Sequence, residues 1–415
     1  MENLFTQIRK TIHNSLENNS LLFLYSAERK WRNGDLHYPF RQDSNFFYLT
    51  GIEQFDSIFL LFKSEKGDIQ EFLFLYQPLE KELVYDNRFL SYDEARTLSG
   101  IETVAPIDHF ERRWKDLMDK APTVYIAPLK TPYKHHLFLN GTHRLLKKRY
   151  PTTTLKDSIA LIEKQRPVKH DGELAFIQKA VDITKDAFLA IASVIKDGVA
   201  ERDIFARLLY HYQRHPHTSY SFDPIVATGS NACILHYSRQ TGNLKNGDLV
   251  LIDTGAEYFN YAGDITRVFP VNGVFSETQK TLYNTVLAIQ EKAIQLFVPG
   301  TTINAINKQV NQWTFQALID LGFIEKNTSY DDSLLKQYYP HGVTHFMGLD
   351  VHDVGQKDMP LEKGMVLTCE PGLYINALNT GIRIEDDILI TDNTPIVLSA
   401  DIPKTVEDIE TLLRQ

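Results

Sequence analysis

The chain has 415 residues, of which 43% are hydrophobic and 23% charged, a composition typical of a globular protein that buries its own cores. The net charge of −9 argues against nucleic acid or an anionic membrane surface as the main partner, because both select basic patches. No run of about eighteen apolar residues predicts a transmembrane helix, and the two cysteines favour a reducing, cytoplasmic compartment.

The first part of the chain predicts an α/β domain. Apolar residues at helical spacing predict a surface helix over Asn3–Asn18. Short apolar runs bounded by turn residues then predict strands, and two segments between them predict helices. The predicted strands are Leu21–Tyr25, Phe46–Thr50, Ile58–Phe62, Phe72–Tyr76 and Thr123–Ile126, and the predicted helices are Asp93–Leu98 and Phe110–Met118. Such a mixture is typical of an α/β fold.

A polar stretch at Gln165–Glu173, with Pro167 and Gly172, predicts a domain boundary. We therefore expect one domain over residues 1–165 and a second over residues 166–415. An apolar face predicts a long helix at Glu173–Ile195. Further helices are predicted at Glu201–Arg214, Thr278–Phe297 and Ile303–Leu321, and strands at Pro224–Thr228, Leu249–Thr254, Val268–Val271, Met365–Cys369 and Ile384–Ile390.

Acids and histidines recur beside apolar strands in the second domain. They are Asp253, Asp264, His341, His345, His352, Glu370 and Glu385. Singly, each has an ordinary explanation, because a strand-terminal acid usually caps a turn. Jointly they are unusual, since converging carboxylates cannot all be ionised unless cations lie between them. Four carboxylates and one imidazole suit two divalent ions such as Mn²⁺, which together activate water and polarise a carbonyl.

Such a site also needs proton carriers and a group that holds an oxyanion. His236, His341 and His352 are available for these roles, and the polar start of Thr228–Tyr237 indicates a loop around His236. The histidines of the segment His211–His217 do not predict another metal site, because they continue a helix into a loop broken by proline.

Five segments resemble, in order, the sequence blocks of the methionine aminopeptidase/prolidase superfamily, and specifically its proline-directed branch. They are TGSNACILHY, LIDTGAEYFNYAGDITR, HGVTHFMGLDVHDVG, MVLTCEPGLYI and GIRIEDDILIT. Upstream, NGDLHYPFRQDSNFFYLTGI at residues 33–52 is similar to the creatinase-like N-terminal domain of bacterial aminopeptidase P. The resemblance implies this α/β domain followed by a pita-bread domain, a curved antiparallel sheet with helices on its outer side.

The resemblance also implies the roles of individual residues. It assigns the metal ligands to Asp253, Asp264, His345, Glu370 and Glu385. Of these ligands, Asp264 and Glu385 should bridge two ions, which we expect to be Mn²⁺. Catalytic or supporting roles at the active site fall to His236, His341, His352, Arg383 and Tyr374. His236 and His352 resemble the substrate-binding or oxyanion-stabilising residues of the family. Arg383 and Tyr374 match positions that support the metal site.

The function implied is that of an Xaa-Pro aminopeptidase, which releases the N-terminal residue of peptides with proline in second position through a water that bridges two metals. An Xaa-Pro dipeptidase would use the same metals. A metal-free creatinase-type hydrolase or a non-catalytic peptide-binding module should lack ligands, and this chain lacks none. The block Tyr38–Tyr48 favours the aminopeptidase, whereas Glu82–Phe89 lacks the tryptophan and glycine usual in bacterial aminopeptidase P. We also expect a homo-oligomer, a dimer or a tetramer.

Overall fold

The computed structural model describes residues 3–85, 89–127, 143–144 and 146–414. The chain divides into two compact units, Met1–Arg166 and Pro167–Gln415. Three residues of the unusual segment at Glu82–Phe89, numbers 86–88, lie outside the described part. None of the described helices has both the length and the apolar character needed to cross a membrane.

The first unit is built on a six-stranded mixed sheet. Its strands are β1 (Ser20–Tyr25), β4 (Ser57–Lys63), β5 (Ile69–Leu75), β6 (Thr103–Pro106), β7 (Thr123–Ile126) and β8 (Thr154–Asp157), in the order β6-β5-β4-β1-β7-β8. Strand β4 pairs antiparallel with β1 and β5, and the outer pairs are parallel. A separate hairpin contains β2 (Trp31–Asn33) and β3 (Leu36–His37).

Helices accompany this sheet at Leu4–Ser15, Ser44–Thr50, Tyr92–Ser99, Phe110–Met118 and Ser158–Glu163. Large apolar side chains from the central strands, among them Leu21, Phe23 and Leu60, are buried in one cluster with Leu117 and Met118. Burial of such side chains is the main favourable contribution to the stability of the unit. The α/β architecture predicted for this part of the chain is therefore confirmed.

The predicted strand at Phe46–Thr50 is wrong, because Ser44–Thr50 forms a helix. The Asp43 carboxylate caps its start by accepting a hydrogen bond from the Phe46 backbone N–H at 2.9 Å. Gly51 ends the helix in the left-handed region, with φ of 68°. Every residue of the helix is buried, so its sequence shows no polar face, and a short apolar run of this kind cannot be told from a strand by periodicity.

The second unit contains several small antiparallel sheets. Its strands are β9 (Thr218–Tyr220), β10 (Ile225–Thr228), β11 (Leu249–Thr254), β12 (Ala256–Tyr258), β13 (Tyr261–Ala262), β14 (Ile265–Pro270), β15 (Val366–Cys369), β16 (Gly372–Ile375), β17 (Thr380–Arg383), β18 (Asp386–Leu389) and β19 (Ile396–Val397). They pair in the orders β10-β11-β14, β13-β12-β9, β15-β18-β19 and β16-β17. These pairs are antiparallel, as the pita-bread prediction requires.

The helices of this unit are Asp171–Ala192, Glu201–Gln213, Glu277–Ile294, Ile303–Asp320, Asp332–Leu335 and Val406–Leu412. The longest helix is fixed to a strand by Thr184, whose hydroxyl accepts a hydrogen bond from the Ala256 backbone N–H at 2.8 Å. Near the start of the same helix, the buried Glu173 carboxylate accepts a hydrogen bond from the Tyr261 hydroxyl at 3.0 Å. These contacts hold the helix against strands that lead into the acidic segment of the chain.

Candidate metal centre and active site

Two buried aspartates are brought together by neighbouring strands. Strands β11 and β14 pair antiparallel, with Asp253 opposite Thr266, and Asp264 directly precedes β14. Asp253 and Asp264 are only 7% and 5% exposed. The pKa of the Asp264 carboxyl is raised well above its ordinary value, first by burial and then by the charge of Asp253. Two acids so close in a buried place favour a cation between them.

Two glutamates complete the acidic cluster. Glu370 follows strand β15, and Glu385 lies between β17 and β18. Burial raises the pKa of Glu370 to about 7. Burial, together with the charges of Asp264 and Glu370, raises the pKa of Glu385 well above its ordinary value. Neighbouring carboxylates therefore oppose the ionisation of Asp264, Glu370 and Glu385, as expected of a site built around positive charge.

His345 is oriented toward these acids. Its Nδ1 lies 3.0 Å from the Phe346 carbonyl oxygen, and because a carbonyl can only accept, Nδ1 carries the proton. The lone pair of Nε2 is then free, and this atom lies 3.4 Å from an Asp264 oxygen and 3.6 Å from a Glu370 oxygen. The potential ligand atoms of Asp264, His345 and Glu385 all lie within 4.8 Å of one another.

The donor set fits divalent metal ions. Among the residues that the structure describes, none makes a hydrogen bond to the buried Oδ1 of Asp253, while Oδ2 accepts one from Arg383 Nη2 at 2.5 Å. A buried carboxylate oxygen without a donor is costly unless a cation approaches it. Carboxylate oxygens combined with one neutral imidazole suit hard or borderline divalent ions.

Arg383 links several residues around this cluster. Its Nε donates to the Thr266 hydroxyl at 3.0 Å and its Nη1 to the Tyr374 hydroxyl at 2.8 Å. Thr266 in turn donates to Glu385 at 2.6 Å. Sequence analysis did not identify Thr266, although its position two residues after Asp264 places both side chains on one face of an extended chain. Arg383 and Thr266 thus fix the orientation of carboxylates on both sides of the cluster.

His341 is held in its neutral form. Its Nδ1 donates to the Gly342 carbonyl oxygen at 2.8 Å, and its Nε2 accepts from the Tyr374 hydroxyl at 2.8 Å. Burial and the nearby charge of Arg383 lower the pKa of His341 to about 3. Nδ1 also lies 3.6 Å from a Glu370 oxygen, so the imidazole borders the acidic cluster without being charged at neutral pH.

A cleft of about 710 Å³ opens onto these groups. The predicted site residues that line it are His236, Asp253, Asp264, His341, His345, His352, Glu370, Arg383 and Glu385. The remaining one, Tyr374, joins them through its hydrogen bonds to His341 and Arg383. His352 meets the His345 ring edge to face at 4.4 Å between centroids, and desolvation lowers its pKa. The structure thus gathers every predicted site residue at one cleft.

Comparison with known proteins agrees with this geometry. Residues 175–392 match metallopeptidase family M24, and residues 5–125 match the N-terminal domain of aminopeptidase P. The Xaa-Pro aminopeptidase of Haemophilus influenzae is 35% identical over 99% of this chain and 96% of its own length.

Solved structures agree over the whole chain. The proline aminopeptidase P II of Yersinia pestis is 31% identical and superposes with a TM-score of 0.89, covering 99% of each chain. The zinc-substituted aminopeptidase P of E. coli in complex with product is 31% identical, with a TM-score of 0.90 over 99% of this chain and 98% of that chain. These likenesses confirm the two-domain architecture with a C-terminal pita-bread domain. The chain therefore belongs to metallopeptidase family M24, in its Xaa-Pro aminopeptidase branch, and is a metallo-exopeptidase.

Proposed function

We propose that this enzyme releases the N-terminal residue from peptides with proline in second position, using two divalent ions, Mn²⁺ in the native enzyme. The observation that carries the proposal is a cluster of four carboxylates, three of them buried and that of Glu370 partly buried, around one imidazole whose free nitrogen points at them. The Xaa-Pro aminopeptidase of Haemophilus influenzae and the product complex of E. coli aminopeptidase P support the same reaction.

The proposed ligands are Asp253, Asp264, His345, Glu370 and Glu385. Of these, Asp264 and Glu385 would be shared by both ions, as the resemblance implies. Both are buried, and their ligand atoms lie within 4.8 Å of each other and of His345. Bound ions would supply an activated water as nucleophile and would polarise the carbonyl under attack.

The other residues orient the ligands and contact the substrate. Arg383 fixes one oxygen of Asp253 and leaves the other free for an ion. Tyr374 donates to His341, so the imidazole keeps one tautomer beside Glu370. These hydrogen bonds pre-organise the site before any peptide enters.

His236 and His352 are proposed to contact the peptide. Both line the cleft and are exposed, so an imidazole N–H of either can donate to a substrate carbonyl or to the oxyanion that develops from it. The proline ring needs room in the same cleft. The ring fixes the φ of proline, and the proline nitrogen carries no hydrogen that the enzyme could bind.

Cations around the cleft favour an aminopeptidase over a dipeptidase. A dipeptidase must hold the free carboxylate of proline with a fixed cation. Among the described residues that line the cleft, the cations are Lys357 and Arg383. The guanidinium of Arg383 is already bonded to Asp253, Tyr374 and Thr266, and Lys357 is exposed on the cleft wall. The alternative is that Lys357 holds the proline carboxylate, which would make the enzyme an Xaa-Pro dipeptidase.

The test compares kcat/KM for Ala-Pro and for Ala-Pro-Ala with Mn²⁺ supplied. We expect the tripeptide to be cleaved well and the dipeptide poorly. Efficient cleavage of the dipeptide with negligible cleavage of longer peptides would assign the enzyme as a dipeptidase. Thorough chelation should abolish turnover and added Mn²⁺ should restore it, and near-full activity after chelation would refute the metal mechanism.

We also propose a cytoplasmic location, which the free thiols of Cys233 and Cys369 support, since disulfides are rare in that compartment. The homo-oligomer expected from the resemblance stays a prediction. Light scattering of the purified enzyme would distinguish a monomer, a dimer and a tetramer.

A further inference from the structure

Glu201 is a fully buried acid that does not line the cleft. It begins the helix Glu201–Gln213 and is 0% exposed. No cation of the described residues lies within ion-pair distance of its carboxylate. Burying a carboxylate is costly unless hydrogen bonds replace the lost water, so its partners explain why it is there.

Four donors converge on this carboxylate. Oε1 accepts from the Thr228 backbone N–H at 2.8 Å and from the Asn231 side-chain amide at 2.9 Å. Oε2 accepts from the Tyr237 hydroxyl at 2.8 Å and from the Gly242 backbone N–H at 2.7 Å. The Asn231 amide also donates to the Tyr237 hydroxyl at 3.0 Å, which closes the network. Both oxygens are therefore fully used.

All four donors belong to one segment, residues 228–242, and that segment carries His236. Tyr237, the next residue, is buried, whereas His236 itself is exposed on the cleft wall. Within the described part of the chain the His236 imidazole makes no hydrogen bond. Its position therefore depends on the backbone of this segment and on the anchored side chain beside it.

The segment is held tightly from two sides. A Cβ on Gly242 would lie 2.7 Å from Glu201 Oε1, so the carboxylate packs directly against the end of the segment. A Cβ on Gly381 would lie 2.1 Å from the Ala232 carbonyl oxygen, so strand β17 packs even more closely against the first part of the segment. Because the neighbouring backbone leaves so little room, a shift at Glu201 has to move the segment as a whole.

We infer that Glu201 is a positioning residue for His236, holding the segment so that the imidazole faces the cleft at a fixed place. The inference rests on the proposed function, in which His236 contacts the peptide. A displacement of about 1 Å of such a group can lower turnover roughly 100-fold without any change in the reacting groups. A residue with a merely structural role would instead lower stability and leave the turnover of the folded enzyme unchanged.

The variant Glu201→Gln tests this because it keeps the shape of the side chain. Its single oxygen can serve only one pair of donors, and its NH₂ group then faces a backbone N–H, of Thr228 or of Gly242, that has no acceptor. The matched control is Glu410→Gln, another buried acid that accepts a backbone N–H, from Phe275, and lies outside the cleft lining. Each enzyme is assayed full-length, loaded with Mn²⁺, below its unfolding transition.

The decisive measurement is a double-mutant cycle with His236→Ala on a Xaa-Pro tripeptide. We expect Glu201→Gln to lower kcat roughly 10- to 100-fold with a smaller change in KM and unchanged metal content. In the His236→Ala background the same change should cost less than about twofold, since the positioned group is gone. Glu410→Gln should keep wild-type kcat.

An equal loss in both backgrounds, or a Glu201→Gln enzyme with wild-type kcat and only a lowered Tm, would overturn the inference. His236→Ala tests the proposed function separately, because wild-type kcat in that single variant would remove the role of His236 itself. Should Glu201→Gln fail to fold, Tyr237→Phe removes one of the four donors to Glu201, together with an acceptor of the Asn231 amide and of the Thr241 backbone N–H. Tyr237→Phe should lower kcat by a smaller factor, and only in the enzyme that retains His236. The same loss of kcat in the His236→Ala background would count against the positioning role.

Discussion

Thr266→Val should weaken metal binding although Thr266 is not a proposed ligand. The two side chains have the same shape, and Thr266 is completely buried, so the substitution removes a hydroxyl and leaves the packing in place. The loss separates Arg383 Nε from its acceptor at 3.0 Å and Glu385 from its donor at 2.6 Å. An unsatisfied buried group of this kind costs about 1–3 kcal/mol.

Part of that cost falls on the metal centre, because Glu385 loses the contact that orients it. Removal of a residue that orients a ligand typically lowers metal affinity about 10- to 100-fold, or about 1.4–2.7 kcal/mol. We expect a loss of this size when metal-depleted enzyme is titrated with Mn²⁺ in a calorimeter. Turnover at limiting Mn²⁺ should fall in parallel and should recover in part at high Mn²⁺.

Thr314→Val is the matched control. Thr314 is also buried, on the helix Ile303–Asp320, and its hydroxyl has no hydrogen-bond partner in the described part of the chain, so its loss should leave metal affinity unchanged. Wild-type Mn²⁺ affinity in Thr266→Val would refute the idea that the threonine orients Glu385. An equal loss in both variants would show that the effect comes from general destabilisation.

Three further outcomes follow. Glu385→Ala should lose most of its metal and its activity by elemental analysis and peptide assay, and a fully loaded, active variant would contradict its role as a bridging ligand. His352→Ala should keep its metal while kcat falls about 10²- to 10³-fold, and loss of metal would show that the residue is a ligand instead. Burial raises the pKa of Glu173 from 4.5 to about 7, so the stability it contributes is present below pH 4.5 and is lost as pH rises through 7. The unfolding free energy of Glu173→Gln minus that of wild type, measured by denaturant titration, should therefore rise by up to about 3 kcal/mol across that pH range. A difference that does not change with pH would contradict this account.

The sequence predicted most reliably those elements whose pattern is complete in a few residues. Strand β11 has the predicted bounds, Leu249–Thr254, because a continuous apolar run between turn residues is typical of a buried strand. The hairpin of β16 and β17 was not predicted, since each strand has only four residues and Pro371 precedes the first. The helix Ser44–Thr50 was mistaken for a strand for the related reason that burial on all sides hides its period.

The candidate site divides in the same way. Its acids and histidines could be found from residue type and from the resemblance of whole blocks, because the chemistry requires those side chains. The resemblance also pointed to Arg383 and Tyr374, which support the site. Thr266 and Glu201 could not be found in this way, because their partners are distant in sequence. Thr266 and Glu385 are 119 residues apart, and Glu201 meets donors 27 to 41 residues away. A buried threonine or glutamate becomes informative only when the fold shows what it contacts.

The acidic cluster also couples metal binding to protonation. Burial and mutual repulsion raise the pKa of Glu370 to about 7 and raise those of Asp264 and Glu385 well above their ordinary values. Glu370 is therefore partly protonated at neutral pH, and a cation must displace that proton to bind. Among these acids Arg383 donates a hydrogen bond to one oxygen of Asp253, and its charge offsets only part of the rise in pKa at Asp264, Glu370 and Glu385. The same repulsion that disfavours ionisation in the cluster makes its affinity for divalent ions steeply dependent on pH. This follows from the placement of four acids beside strands that the fold brings together.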